Sequence, residues 1–116
     1  MVKVKKEHFK VFKKEYKRRV KQFGINDWQI YIDQCKLDNA RACLARNLKG
    51  RAATAWLTTE WDEKIKEKDL KATAKHEALH LLIGRVAELA QQRFVSSSEF
   101  FEAEEELVQK LDRLIR

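Results

Sequence analysis

The chain has 116 residues, of which 44% are hydrophobic and 37% charged, with three Gly, no Pro and a formal net charge of +7. That length suits one domain spanning residues 1–116, and the balance excludes a disordered or fibrous chain. No stretch approaches the roughly 20 apolar residues of a membrane span, and the charged N-terminus lacks the apolar run of a signal peptide, so the expected location is the cytoplasm.

The charge is unevenly distributed. Residues 1–22 hold ten Lys and Arg against two Glu, a local +8, so the remaining 94 residues sum to −1. Phe9, Phe12, Tyr16, Val20 and Phe23 recur there at three- and four-residue spacings, and Gly24 follows where a C-terminal cap is expected. This segment is predicted to be an amphipathic helix. Its basic residues read as surrounding the apolar stripe, a solvated face that keeps a small protein soluble, with contact to nucleic acid through residues 1–22 as the functional alternative. His8 reads as an ordinary boundary histidine.

From Trp28 the period changes to two. Trp28, Ile30 and Ile32 alternate with Gln29, Tyr31 and Asp33, the pattern of a half-buried strand. Residues 40–47 and 51–61 read as two further strands, joined through Asn47-Leu48-Lys49-Gly50 with Gly50 supplying the turn. The expected fold class is therefore α+β, with a three-stranded antiparallel sheet between helices. Cys35 and Cys43 lie near or within these strands and are too few for a disulfide framework, so reduced thiols are expected.

After a charged connector at 62–68, Asp69 can cap a second helix over 70–93 with apolar positions Leu79, Leu82, Ile83, Val86, Leu89 and Ala90. So wide an apolar arc marks the buried central helix. It contains His76-Glu77-Ala78-Leu79-His80, an HExxH pattern. On a helix the two histidines, four residues apart, project from one face and can reach a single metal ion, while Glu77 is carried to its rim, the arrangement of zinc hydrolases. Ser96 followed by Glu99 has the form of a capping box and starts a last helix after Phe94-Val95, with a stripe of Phe100, Leu107, Val108, Leu111, Leu114 and Ile115.

A catalytic zinc site needs a third protein ligand. The metzincin pattern would require a Gly three residues after the second histidine and a further His beyond it; Ile83 holds that position, and the remaining histidine, His8, is far upstream. A carboxylate from a neighbouring helix is left, and the last helix offers Glu102, Glu104, Glu105 and Glu106. Glu104 lies on the stripe of Phe100, Leu107 and Val108, where an unpaired carboxylate is costly to bury and a cation removes the conflict. The expected metal ligands are His76, His80 and Glu104, with Glu105 as the alternative if the helix phase is shifted. Gly84, one turn after His80, is expected to leave room for the two helices to meet.

Residues 73–84 around HExxH, followed by 103–111 with its Glu run, resemble the small phage- and prophage-encoded zinc metallopeptidases, minimal zincins distantly similar to SprT-like proteases. The resemblance covers most of the chain, including the Trp28 strand. It implies a helix, a three-stranded sheet and two helices carrying the ligands, with His76 and His80 as metal ligands, Glu77 as the catalytic glutamate, and a third ligand in the Glu run without singling out a member. It leaves the substrate open, and the basic first helix raises the question of proteins bound to nucleic acid, on which SprT-like enzymes act.

The function expected is zinc-dependent hydrolysis of a protein or peptide, with Glu77 as general base for a water acidified by Zn²⁺. The substrate would pair with a sheet edge, for which the strand around Trp56 is the candidate, and Tyr31 is the candidate oxyanion helper. Two rivals stand beside it. One is a metal-dependent ribonuclease, since residues 76–84 faintly resemble rRNA-maturation endonucleases, which carry three histidines where this chain has two. The other is a non-catalytic nucleic-acid-binding module with structural zinc.

Overall fold

The computed structural model describes residues 1–47, 49–91 and 96–115. The elements run β1 (Val2–Lys3), α1 (Lys6–Gln22), β2 (Gln29–Cys35), β3 (Ala42–Asn47), β4 (Ala52–Thr58), β5 (Glu60–Trp61), α2 (Glu67–Leu82), α3 (Gly84–Gln91) and α4 (Ser97–Leu114). The class is α+β. Expected features at Leu48, at Arg93 and at Phe94-Val95 lie outside the described residues, as does the side chain of Leu89.

The first helix ends as its sequence directs. Gly24 takes φ +69°, its N–H bonds the Lys21 carbonyl at 3.1 Å, and the Ile25 N–H reaches back to the Val20 carbonyl at 3.0 Å. That pair of bonds satisfies the last carbonyls of α1 at a residue without a Cβ penalty. At the other end His8 closes the first turn, its Nδ1 accepting the Lys5 backbone N–H at 3.0 Å.

The sheet differs from the expected antiparallel one. Its order is β2-β4-β3, with β3 antiparallel to β4 but β2 parallel to it. The physical reason lies in β4, whose Ala53, Ala55 and Leu57 are buried. This most apolar strand takes the centre, where both backbone edges are paired, and leaves β2 and β3 at the edges. The strand around Trp56 is therefore central and cannot receive a substrate strand. The hairpin turn contains Gly50 as expected, but its positive φ is at Arg51, +50°, while the Gly50 N–H is held by Asn47 Oδ1 at 3.1 Å. A second, two-stranded sheet pairs β1 with β5, Val2 opposite Trp61.

Helices α1 and α2 cover one face of the larger sheet. Phe12 and Tyr16 of α1, Ala53, Ala55 and Leu57 of β4, and Leu70, Ala74, Ala78 and Leu81 of α2 form one buried cluster, the alanines allowing close approach. Asp69 does not cap α2, which starts two residues earlier, with Lys66 at the cap. The expected continuous helix over 70–93 is interrupted at Ile83. Arg46 of β3 donates from Nη1 to the His80 carbonyl at 3.0 Å, the acceptor that an unbroken helix would offer to residue 84. Leu82 and Val86, expected on the buried arc, are exposed. The Ser96 cap of α4 holds as expected, its Oγ accepting the Glu99 N–H at 3.2 Å. Phe100, Glu104 and Val108 face inward on α4, whereas Leu107 and Leu114 point outward. Lys75 ties α2 to α4 through the Asp112 carboxylate at 3.0 Å and its carbonyl at 2.7 Å. Among the described residues no helix is long and apolar enough to cross a membrane.

Candidate metal centre

The turn-by-turn geometry of α2 sets the site. Leu70, Ala74, Ala78 and Leu81 commit one arc of the helix to the core; His76 and His80 fall on the adjoining arc, half-buried, and Glu77 sits at the boundary between them. His76 Nε2 and His80 Nε2 are 3.3 Å apart. Metal–nitrogen bonds of about 2.0–2.1 Å at a tetrahedral angle put two ligand nitrogens roughly 3.3 Å from each other, so this pair is spaced as ligands to one cation.

The two neighbouring glutamates of α4 meet His80 on opposite sides of its ring. Glu105 Oε1 lies 2.6 Å from His80 Nε2 and 3.3 Å from His76 Nε2. His76, His80 and Glu105 thus present three ligand atoms within 4.8 Å of one another, a group that can hold a metal ion. Glu104 lies behind. Its Oε2 is 2.6 Å from His80 Nδ1, and it also accepts from Arg46 Nη1 at 3.2 Å. A carboxylate on the far nitrogen of an imidazole fixes the ring and its tautomer, with Nδ1–H donating and the Nε2 lone pair free for a cation. The helix phase that placed Glu104 inward is as expected; the inward direction leads to the back of His80, and the next residue, about 100° further round the helix, faces the cleft.

Electrostatics separate the carboxylates. Burial alone would raise Glu104, but hydrogen bonds from His80 and Arg46 outweigh it and hold the carboxyl below the usual range. Glu104 Oε1 is buried with no partner among the described residues. Glu77 shifts the other way. Burial raises its carboxyl above the ordinary value, and the charges of Glu105 and Glu104 add to that, with His80 and His76 opposing. A carboxylate so raised is a better proton acceptor than a solvated one.

Beneath α2, the Tyr16 hydroxyl is raised by burial and then by the charge of Glu77, and it has no hydrogen-bond partner among the described residues. Cys43 is also raised, by burial first and by Glu77 second, which keeps it a thiol. Neither cysteine is bonded.

A cleft of about 280 Å³ opens over the group, walled by Ala42, Cys43, Leu44 and Arg46 of β3, by Glu77 and His80, and by Phe101, Glu104 and Glu105. A second hollow continues past Glu77 to Arg41, Thr73, His76 and Asp112. The wall between helix and cleft is the open edge of β3. Because the Thr58 N–H bonds the Arg41 carbonyl, residues 43, 45 and 47 also turn toward β4, and the backbone groups of Ala42, Leu44 and Arg46 point outward.

No family model matches the chain, and no curated protein does. Among solved structures it is similar to the crystal structure of the metallopeptidase zymogen jannalysin of Methanocaldococcus jannaschii. The identity is 23%, covering 86% of this chain and 89% of that one, at a TM-score of 0.44. So distant a likeness carries no functional weight.

Other expected positions fall elsewhere. Tyr31 is on β2, the edge away from the cleft, with the whole of β4 between it and β3, so it cannot assist there. Gly84 makes room for a side chain rather than a helix: a Cβ there would stand 3.1 Å from Arg46 Cδ. Arg46 itself is not among the residues expected from sequence. Its being the single cation on an otherwise uncharged strand does not by itself mark it, since the glycine that makes room for it is 38 residues away.

Proposed function

We propose that the chain is a zinc-dependent peptidase of minimal zincin-like architecture, acting on extended protein or peptide segments. The observation that carries this is the convergence of His76 Nε2, His80 Nε2 and Glu105 Oε1 beside a buried, proton-accepting Glu77 at the foot of an open strand edge. His76, His80 and Glu105 would hold the ion, and Glu104, the ligand first expected from helix phase, orients His80 from behind. The donor set of two imidazoles and one carboxylate is that of catalytic zinc. A bound zinc ion supplies Lewis acidity and brings the pKa of a water toward about 7.

The chain's own residues account for the rest. The outward N–H and C=O groups of Ala42, Leu44 and Arg46 pair with an extended substrate backbone, holding a scissile peptide over α2. Glu77 takes the proton of the attacking water and returns it to the leaving amine nitrogen, a shuttle that its raised affinity for protons favours. The hollow beyond Glu77 receives the segment on the other side of the scissile bond.

The test uses purified protein loaded with zinc and an unfolded protein substrate, with new N-termini read by mass spectrometry. Cleavage should appear, cease on chelation, return with zinc, and be absent from Glu77→Gln. Wild-type protein that holds zinc stoichiometrically yet generates no termini across a broad peptide mixture would overturn the proposal.

A further inference from the structure

The basic helix is not scattered in its charge. At about 100° per residue, Lys6, Lys10, Lys13, Lys14, Lys17 and Lys21 all fall within an arc of about 100° on α1. Five of the six are exposed and Lys13 is half-buried. None has a carboxylate partner among the described residues. The two acids of the segment lie off that arc, and Glu15 is taken up by Arg18 and Arg19, at 2.8 and 3.0 Å. The row runs along one side of the apolar stripe, and Arg19 borders its other side, so the expected surround holds while six of its lysines line up within it. Six unneutralised cations in one line cost free energy through mutual repulsion, which a polyanion would relieve.

The row borders a second feature. Where the flank of α1 meets β2, Lys13 and Lys17 line a groove with Ile30, Tyr31, Asp33, Thr54 and Trp56. Strand alternation buries Ala53 and Ala55 on the inner side and leaves Thr54 and Trp56 on the outer face, beside Tyr31 and Asp33 of β2 in register. Tyr31 is 51% exposed, high for a ring on a strand. Two aromatic faces next to two lysines match the combination that single strands require, stacking surfaces for bases and cations for the backbone. A membrane surface fits poorly: among the described residues, no large hydrophobic side chain of α1 is exposed.

We propose that the lysine row of α1 and the Tyr31–Trp56 face of the sheet bind single-stranded nucleic acid, its backbone along the helix and its bases on the rings. The site lies along the β2 edge, whereas the cleft lies along the β3 edge, so both can be occupied at once. Among the described residues Asp33 is the one acid in the groove, and its Oδ1 turns back to accept the Gln34 N–H at 2.8 Å. Its charge opposes binding.

Fluorescence anisotropy with a labelled oligothymidylate of about 15 nucleotides, titrated with the full chain across a sodium chloride series, tests this. The logarithm of affinity should fall linearly with the logarithm of salt, by about 0.7 per phosphate engaged. Lys13→Gln with Lys17→Gln should reduce the slope by about 1.4. Tyr31→Ala should weaken binding about tenfold at unchanged slope, because stacking releases no counterions. Asp33→Asn should tighten it. Circular dichroism confirms that these surface variants fold. Equal affinity for polyglutamate or for anionic vesicles would overturn the proposal, as would indifference to Tyr31→Ala or an absence of binding. The readout needs neither metal nor hydrolysis, so it fails or succeeds independently of the peptidase assignment.

Discussion

Glu104 Oε2 stands 2.6 Å from His80 Nδ1, on the side of the ring away from Glu105, whose Oε1 stands 2.6 Å from Nε2. Adjacent residues of one helix thus grip one imidazole from both ends. They do so because α4 crosses α2 at this level, with Phe100 and Val108 inserted above and below Glu104.

The two glutamates should therefore separate in a metal titration. Glu105→Ala removes a donor and should abolish tight zinc binding. Glu104→Ala removes only the partner that orients His80 and should cost about 10–100-fold in affinity. Competition against a chromogenic chelator measures both. A larger loss in Glu104→Ala than in Glu105→Ala would reverse the assignment.

Glu77→Gln should retain zinc at wild-type affinity, since residue 77 contributes no ligand atom to the group of His76, His80 and Glu105. Its hydrolytic rate should fall by at least about 10²–10⁴-fold, the usual worth of a positioned general base. Zinc content and turnover are measured on the same sample. Retained turnover in a zinc-loaded Glu77→Gln protein rules out Glu77 as the base.

Arg46 and Glu104 form a buried ion pair, with side chains 9% and 6% exposed. Arg46→Ala leaves the Glu104 carboxylate without its cation and should destabilise the fold by about 3–5 kcal/mol, whereas replacing both partners by apolar residues of similar volume should recover most of that. Gly84→Ala presses a methyl group on Arg46 Cδ from 3.1 Å and should act in the same direction, more weakly. Urea unfolding of the single and double variants decides it. If the double variant is no more stable than Arg46→Ala, the pair is not what the two residues contribute.

The parts of this site that can be read from sequence are those set by helical period alone. HExxH on one face of α2 follows from four-residue spacing, and so does the inward placement of Glu104 on the stripe of Phe100 and Val108. Period does not give the roll of α4 about its axis, so the choice between Glu104 and Glu105 requires the crossing geometry. Nor does it give strand order. Asn47 to Arg51 implies a hairpin between β3 and β4, but the parallel pairing of β2 depends on which strand is apolar enough to be central, and a pattern taken strand by strand cannot rank them. Arg46 is illegible because the groups that mark its role at the site, the His80 carbonyl, Glu104 and the space over Gly84, are each at least 34 residues away. The lysine row of α1 is written in the helical wheel, where Arg19 on the other side of the stripe makes the same charges read as a surround.

Glu15 makes stability depend on pH. It is buried on α1, and hydrogen bonds from Arg18 first, and then Arg19, hold its carboxyl below the usual value in spite of burial. Arg18 is 56% exposed, so its share is weakened by solvent and salt, while Arg19 is 10% exposed and its share persists. The folded pKa is depressed below that of the unfolded chain, whose Glu titrates at about 4.3. The carboxylate therefore contributes stability fully above that unfolded value, and the contribution is lost as pH falls through the lower folded pKa. Glu15→Gln should be less stable than wild type at pH 7, and the difference should shrink once the pH drops below about 4. Denaturant unfolding of both proteins at neutral and acid pH gives the comparison. A difference that stays constant between the two would mean that Glu15 contributes by packing and not by charge.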